Sequence, residues 1–298
     1  MRTTDARRVV AQARDGRWAL AAFNVNNMET AQAVVAAAED AGRPVMLQIS
    51  PGAIDFAGWD AIVAIAFGEA ERASVPVLVH LDHCRDPELV RRAIGDGFSS
   101  VMFDGSALPF DDNVAATTAL VEAAHARGIA VEAELGAIGG IESTTLEEAL
   151  RDLTAPDEAA AFVGATGVDI LAPAVGTLHR MPNESVVLDS GRIAAIASAT
   201  GCALALHGGS GVQQDQLRGA IAAGVTKVNI SSRVGRAFAA GIRRAWEDDP
   251  DQLDLRRYLG AGRASVQTLA ARYLDLCGAP SKGSPGGRRW SAESEEPE

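Results

Sequence analysis

The stretch VPVLVHLDHC, residues 75–84, carries an apolar run that ends abruptly in ionisable side chains. The run is continuous rather than alternating, which predicts a strand buried on both faces. Asp82 and His83 stand at its end, two residues after His80. Because α/β folds place their sites at the C-terminal ends of strands, a carboxylate beside an imidazole here indicates a site. The alternative is a buried core histidine next to an aspartate that caps a helix.

Three of the five histidines follow predicted strands, namely His83, His179 and His207. Three imidazoles that leave a fourth position open form the ligand set of a catalytic zinc ion. The alternative is that these histidines are unrelated and simply share a polar cavity. We expect His80 to belong to the core and His125, in the helical stretch VEAAHARG, to lie on the surface.

Further polar residues lie toward the ends of the other predicted strands or just after them. They are Asn24, Ser50, Asp104, Ser106, Glu132, Glu134, Asn229, Ser231 and Ser232. Asp104 and Glu134 are candidates for carboxylates that orient the histidines, for a second metal position, or for structural salt bridges.

Two glycine- and serine-rich segments predict a phosphate site. LHGGSGV, residues 206–212, and KVNISS, residues 227–232, each offer backbone N–H groups and hydroxyls where a helix is expected to begin. Late loops of this kind are the usual phosphate site of a parallel barrel. The alternative is a pair of tight turns that need glycine only for their backbone conformation.

The elements that must position these residues alternate regularly between strands and Ala-rich helices. The predicted strands are 18–25, 44–50, 75–82, 99–104, 129–135, 168–174, 203–208 and 225–230. The predicted helices are 28–41, 61–73, 87–95, 112–127, 156–164, 191–200 and 215–223, with terminal helices over 253–276. Eight such units predict a (β/α)8 TIM barrel, in which all strand C-termini open on one face. An open doubly wound sheet is the alternative, but no GxGxxG turn follows the first strand.

The domain organisation is then one barrel over residues 1–277. Residues 278–298 are rich in Gly, Pro, Ser and Glu, and we expect them to form a disordered tail. Residues 136–152 form a long connection after the fifth strand, and their glycines suit a mobile lid.

Composition narrows the classes of partner and compartment. The chain has 298 residues, 47% of them hydrophobic, and a formal net charge of −12, which argues against nucleic acid or an anionic membrane as the partner. There is neither a start of signal-peptide character nor a run of ~18 apolar residues, so we expect a cytoplasmic protein without a membrane partner. The three widely spaced cysteines, Cys84, Cys202 and Cys277, suit reduced thiols.

Seven motifs in order carry a resemblance. They are AFNVNN (22–27), LDH (81–83), VMFDGS (101–106), VEAELG (131–136) with GGIE (139–142), GTLH (176–179), LHGGSG (206–211) and KVNIS (227–231). Over roughly residues 1–275 the chain resembles the class II, metal-dependent ketose-bisphosphate aldolases, which split fructose- or tagatose-1,6-bisphosphate.

The resemblance implies a reaction and a metal set. His83, His179 and His207 would bind one Zn²⁺ per subunit, and a monovalent cation is a further candidate. Asp82 would move the proton of the C4 hydroxyl. Glu142 would move the proton at the carbon of a zinc-stabilised enediolate, which leads to dihydroxyacetone phosphate and an aldehyde. Asp104 and Glu134 match carboxylates near the metal.

The resemblance also implies the residues that bind a phosphorylated sugar. Asn24, Ser50 and Asn229 would contact the substrate, and the C1 phosphate would be held by Gly208, Ser210, Asn229, Ser231 and Ser232. Arg256, in DLRRYL (254–259), would reach the other phosphate in a neighbouring subunit. A homodimer or homotetramer follows from that crossing.

The chain departs from the family after His179, where Arg180 stands and the usual phosphate-binding lysine is missing. Arg180 is therefore a candidate anion anchor, because its guanidinium binds phosphate or carboxylate bidentately. The alternatives are a lyase of this fold that acts on a non-bisphosphate or carboxylated substrate, and a barrel that binds without catalysis. Lys227 is the only lysine before the tail, and the resemblance makes it a structural residue rather than a Schiff-base nucleophile.

Overall fold

The computed structural model describes residues 5–136, 153–177 and 188–281. Eight parallel strands close into a barrel in the order β1 to β8, which confirms the predicted (β/α)8 fold. The strands are Leu20–Asn24, Val45–Ile49, Val77–Cys84, Ser100–Phe103, Ala130–Leu135, Ile170–Pro173, Ala203–Leu206 and Val225–Ile230. The predicted lid and nearly all of the predicted tail lie outside the described residues.

Helices surround the barrel. Those among the described residues, α1 to α11, are Ala6–Gly16, Met28–Ala41, Pro51–Ala57, Trp59–Arg72, Pro87–Gly95, Phe110–His125, Pro156–Thr166, Ser190–Thr200, Gln214–Ala223, Ser232–Asp248 and Leu255–Cys277. The sequence pattern did not single out α1, α3 or α10. None of the helices in the described part of the chain is long and apolar enough to cross a membrane.

Helix α1 packs near the N-terminal ends of the late strands, against β7 and β8. Its Val10 joins a buried cluster with Met102, Ile170 and Ala203. The sequence has too few apolar residues here to predict a core helix, since small alanines provide much of the buried face. Apolar side chains fill the barrel at this end, so the polar side chains of its interior lie toward the opposite, C-terminal end.

Strand β3 extends to Cys84, two residues past its predicted end. Its pairing with β4 is irregular between Leu81 and Cys84. His83, inside this irregular stretch, has φ 49°, in the left-handed region that residues other than glycine avoid. Such strain costs about 1–3 kcal/mol and persists where the surroundings impose it, often at functional sites.

Helices α10 and α11 cross closely through glycines. A Cβ at Gly241 would collide with the backbone carbonyl of Ala261 and with the Ser265 hydroxyl, and a Cβ at Gly262 would meet the Phe238 ring at 2.8 Å. The side chains around the crossing therefore leave no room for a methyl group.

Replacing Gly241 with alanine is expected to lower the free energy of unfolding by about 1–3 kcal/mol, because the helices must move apart. Denaturant unfolding followed by circular dichroism measures this. Gly260, also in α11, is the matched control, since nothing lies within 4 Å of a Cβ there. Gly260→Ala is expected to be neutral or to stabilise by up to ~1 kcal/mol; equal losses in the two variants would contradict the crossing argument.

Candidate active site

Two predicted metal ligands meet at the C-terminal end of the barrel. His83 is the penultimate residue of β3 and His207 follows β7. Their facing nitrogens, His83 Nε2 and His207 Nδ1, lie 2.7 Å apart. Asp82, His83 and His207 offer ligand atoms that all lie within 4.8 Å of one another. Two imidazole nitrogens that face each other this closely need a proton or a cation between them. This donor set, nitrogen with a neighbouring carboxylate, fits a zinc-type ion.

The orientation of the His207 ring is fixed by a contact with Glu132 on the side of the ring away from His83. Its Nε2 lies 2.7 Å from Glu132 Oε1, and both side chains are completely buried. A carboxylate can only accept, so His207 Nε2 donates and its Nδ1 keeps a lone pair toward His83. Carboxylates that fix metal-binding histidines in this way are typical of metal sites.

Glu132 is in turn paired with Lys227, whose Nζ lies 2.8 Å from Glu132 Oε2. His80 lies nearby, with its Nε2 3.7 Å from the same oxygen and its Nδ1 2.6 Å from Ser100 Oγ. Burial, helped by the charge of Lys227, lowers the pKa of His80 to about 3, so this imidazole is neutral. The expectation that His80 belongs to the core is confirmed.

Asp82 is held by two amides. Asn24 Nδ2 donates to Asp82 Oδ2 at 2.8 Å, and Asn229 Nδ2 donates to Asp82 Oδ1 at 3.3 Å. Gln48 Nε2 donates to Asn24 Oδ1 at 3.1 Å and so fixes that amide. Burial alone would raise the pKa of Asp82, but electrostatic interactions with His83 and other nearby side chains outweigh this effect and hold the pKa well below its ordinary value. The Asp82 carboxylate is therefore ionised at neutral pH.

A second group of carboxylates, those of Asp104 and Glu134, lies on the other side of the His83 ring from His207. Glu134 Oε2 is 3.7 Å from His83 Nδ1, and His83, Asp104 and Glu134 form another cluster of potential ligands. Asp104 is engaged by Ser106 Oγ at 2.6 Å and by Arg85 Nε at 2.9 Å. Burial would raise the pKa of Asp104, but these hydrogen bonds lower it below its ordinary value.

The loops after β7 and β8 form a polar cup. Gly208 has φ 68°, and a Cβ at Gly209 would lie 3.0 Å from the Asn229 carbonyl oxygen, so glycine permits the close approach of the two loops. The Ser231 N–H donates to Ser210 Oγ at 3.2 Å. Ser232 begins α10, whose N-terminal N–H groups favour an anion.

A cavity of about 750 Å³ connects Asp82 and His83 with this cup. Predicted site residues that line it are Asn24, Ser50, Asp82, His83, Asp104, Gly208, Ser210, Asn229, Ser231 and Ser232. Ser50 also caps α3, because its Oγ accepts a hydrogen bond from the Ala53 N–H at 3.3 Å. The structure therefore brings most of the predicted residues into one pocket.

Comparison with known proteins agrees with this geometry. The family model described as "Fructose-bisphosphate aldolase class-II" matches residues 4–282. The chain belongs to the class II fructose-bisphosphate aldolase family. It is 36% identical over 285 residues to a fructose-bisphosphate aldolase of Geobacillus stearothermophilus, which covers 95% of this chain and 99% of the relative.

One further relative and one solved structure are also similar to this chain. A D-tagatose-1,6-bisphosphate aldolase subunit GatY of Klebsiella oxytoca is 36% identical, covering 88% of this chain and 92% of the relative. The crystal structure of the YdjI aldolase from Escherichia coli K12 has a TM-score of 0.81 at 31% identity and covers 93% of this chain and 98% of that one. Class II aldolases are aldehyde-lyases and are generally metal-dependent, so the chain is an aldolase with a candidate metal site.

Several aldolase residues predicted from the sequence are not in the described pocket. Glu142, His179 and Arg180 lie outside the described residues. The Arg256 side chain is 90% exposed, pairs with Asp254 at 2.8 Å, and does not line the cavity of its own chain. The surface position expected for His125 is wrong in part: it is half-buried and its Nε2 lies 2.8 Å from Asp169, which offsets the cost of burying the ring.

The cysteines do not take part in acid–base chemistry. Burial raises the pKa of the Cys84 thiol to about 11 and that of Cys202 and Cys277 to about 12. All three are free thiols and buried. Cys84 lines the cavity but remains protonated at neutral pH, so it is a poor nucleophile.

Sequence reasoning gave no role in the site to three residues that contact it, namely Glu132, Arg85 and Lys227, the last of which was expected to be structural. Glu132 stands two residues before Glu134 on β5, so both side chains point to the same side of the strand. The pairing of a buried lysine on one strand with a glutamate on another can be predicted only once the register of the strands is known.

Proposed function

We propose that this protein is a zinc-dependent aldolase that cleaves, or forms, a ketose 1,6-bisphosphate, with dihydroxyacetone phosphate and an aldehyde as the products. The observation that carries the proposal is the convergence of His83 and His207 beside Asp82, next to a cavity that Asp82 and His83 line together with the polar cup. The relatives named for fructose- and tagatose-bisphosphate cleavage support the class of substrate.

One Zn²⁺ per subunit would be held by His83, His207 and, outside the described residues, His179. When bound, the ion would act as a Lewis acid and stabilise the negative charge that develops on the two oxygens of the departing ketose fragment. Asp104 and Glu134 would support the His83 ring on the side of its Nδ1. That nitrogen lies 3.7 Å from Glu134 Oε2. A monovalent cation is a further candidate cofactor.

Asp82 would accept the proton of the C4 hydroxyl. The C4–O bond then becomes a carbonyl, the C3–C4 bond breaks, and its electron pair stays with the C1–C3 fragment as an enediolate. Glu142 would deliver a proton to C3 and complete dihydroxyacetone phosphate. The amides of Asn24 and Asn229 hold the Asp82 carboxylate in place, which is the orientation that general base catalysis requires.

Binding of the sugar would be divided between the two ends of the cavity. The C1 phosphate would lie in the cup of Gly208, Ser210, Ser231 and Ser232, with Asn229 beside it. Arg180, outside the described residues, would anchor an anion, and Arg256 would reach the second phosphate of a neighbouring subunit in a homodimer or homotetramer. The free, buried cysteines suit a cytoplasmic location.

A substrate panel tests the proposal. The purified protein is assayed for cleavage of fructose- and tagatose-1,6-bisphosphate, of the matching 1-phosphates and of unphosphorylated ketoses, with and without a chelator. We expect a bisphosphate to be cleaved with the highest kcat/KM, and activity to disappear with chelator and return with zinc. Chelator-resistant cleavage would contradict the metal mechanism, and preference for an unphosphorylated ketose would contradict the substrate class.

A further inference from the structure

A buried lysine contacts two side chains, one of which holds a predicted metal ligand and the other the predicted acid–base carboxylate. Lys227, on β8, is fully buried, and its Nζ lies 2.8 Å from Glu132 Oε2 and 2.8 Å from Asn229 Oδ1. A buried charge is stable only when it is paired and hydrogen-bonded. The ammonium meets that condition through contacts with two other side chains. Lys227 itself does not line the cavity.

The first contact leads to the metal ligand. Glu132 has no exposure to water, and its Oε2 lies 2.8 Å from the ammonium of Lys227. Its other oxygen, Oε1, accepts from His207 Nε2 at 2.7 Å and directs His207 Nδ1 toward His83. Without the ammonium, Oε2 would lose its charged partner, and the carboxylate would no longer be held in position against the His207 ring.

The second contact leads to the acid–base carboxylate. An ammonium can only donate, so the Asn229 amide must turn its oxygen toward Lys227 and its Nδ2 toward the cavity. In that orientation Asn229 Nδ2 reaches Asp82 Oδ1 at 3.3 Å. With its oxygen reversed, the same amide would repel the carboxylate. Lys227 thus fixes the orientation of the Asn229 amide as well as the position of the Glu132 carboxylate.

We propose that Lys227 is a positioning residue that holds the metal ligand His207 through Glu132 and the acid–base Asp82 through Asn229. It touches no reacting atom and forms no covalent bond with substrate. The assignment rests on the proposed function for the roles of His207 and Asp82. It goes beyond the expectation that Lys227 is structural, because it predicts a defect in metal binding in a protein that remains folded.

The test replaces Lys227 with methionine, which has a similar length and no charge. Zinc affinity is measured by competition with a chromophoric chelator, the visible spectrum of the Co²⁺-loaded protein reports the ligand geometry, and steady-state kinetics separate kcat from KM. We expect zinc affinity to fall ~10–100-fold, as for other lost supports of metal-binding histidines. The Co²⁺ bands should shift, and kcat should fall more than KM rises.

A second variant keeps the test decisive if Lys227→Met unfolds the protein. The double variant Lys227→Met/Glu132→Gln removes both charges, so the buried site stays neutral. The new amide can accept from or donate to His207, so the tautomer is no longer imposed. We expect thermal stability near that of the unsubstituted protein, with zinc affinity still reduced and the Co²⁺ bands still shifted.

Thr226→Val is the matched control. Thr226 precedes Lys227 on β8, is 2% exposed, and bonds the Leu204 carbonyl with its hydroxyl, away from the metal ligands. It should lose stability but keep zinc affinity, the Co²⁺ spectrum and kcat. A folded double variant with unchanged zinc affinity and an unchanged Co²⁺ spectrum would overturn the proposal for Lys227. If the protein binds zinc tightly but cleaves no ketose bisphosphate, the proposed function fails while the zinc and Co²⁺ data still decide the role of Lys227.

Discussion

Replacing His207 with alanine is expected to remove the bound zinc and the aldolase activity together. The variant loses one nitrogen of the facing pair and leaves the buried Glu132–Lys227 ion pair without its imidazole partner. Losing a direct ligand should weaken zinc binding by more than the ~10–100-fold typical of an outer support. Metal analysis after dialysis and an assay with added zinc measure the two effects.

The control for this variant is His125→Ala. His125 lies at the end of α6 and pairs with Asp169 at 2.8 Å, so its loss is expected to affect stability alone. Thermal unfolding should be followed for both variants, which shows whether each is folded. A folded His207→Ala protein that keeps one equivalent of tightly bound zinc would show that the ligand set is wrong.

Replacing Asp82 with asparagine should separate metal binding from chemistry. Asparagine has the same shape but cannot take the proton of the C4 hydroxyl at neutral pH. We expect zinc to be retained and kcat to fall ~10²–10⁴-fold, the usual share of general base catalysis. Zinc content and steady-state kinetics on the preferred bisphosphate measure the outcome.

Asp169→Asn provides the comparison, since Asp169 accepts bonds from Arg7, His125 and the Val131 N–H at the other end of the barrel. That variant should lose stability without a change in kcat. Near-normal cleavage by Asp82→Asn would place the base elsewhere in the cavity. Loss of zinc from the same variant would instead make Asp82 a metal ligand.

The barrel and the place of the site were predictable because both depend on local patterns. Continuous apolar runs that alternate with helical stretches specify parallel strands, and a closed parallel barrel puts every strand C-terminus on one face. Asp82, His83 and His207 had to meet there once the strand order was correct. The ordered motifs added the family, which the match over residues 4–282 confirms.

Elements defined by small residues were harder to predict. Helix α1 was missed because alanines form part of its buried face, and α10 because glycine and arginine weaken its apolar pattern. Their positions depend on what they pack against, such as the crossing at Gly241 and Gly262. Packing at van der Waals contact is a property of two surfaces, and neither surface alone encodes it locally.

The sequence by itself determined which residues end the strands and what chemistry their types allow. Only the tertiary structure decided which atoms face each other. Glu132 and Glu134 share one side of β5, yet Glu132 contacts His207 and Lys227, whereas Glu134 faces His83. That division follows from strand register and depth in the barrel, which join residues 75 positions apart, as in the Glu132–His207 pair. Hydrogen-bond direction at such pairs is a three-dimensional property, and it is what selects the tautomer of His207, a predicted metal ligand.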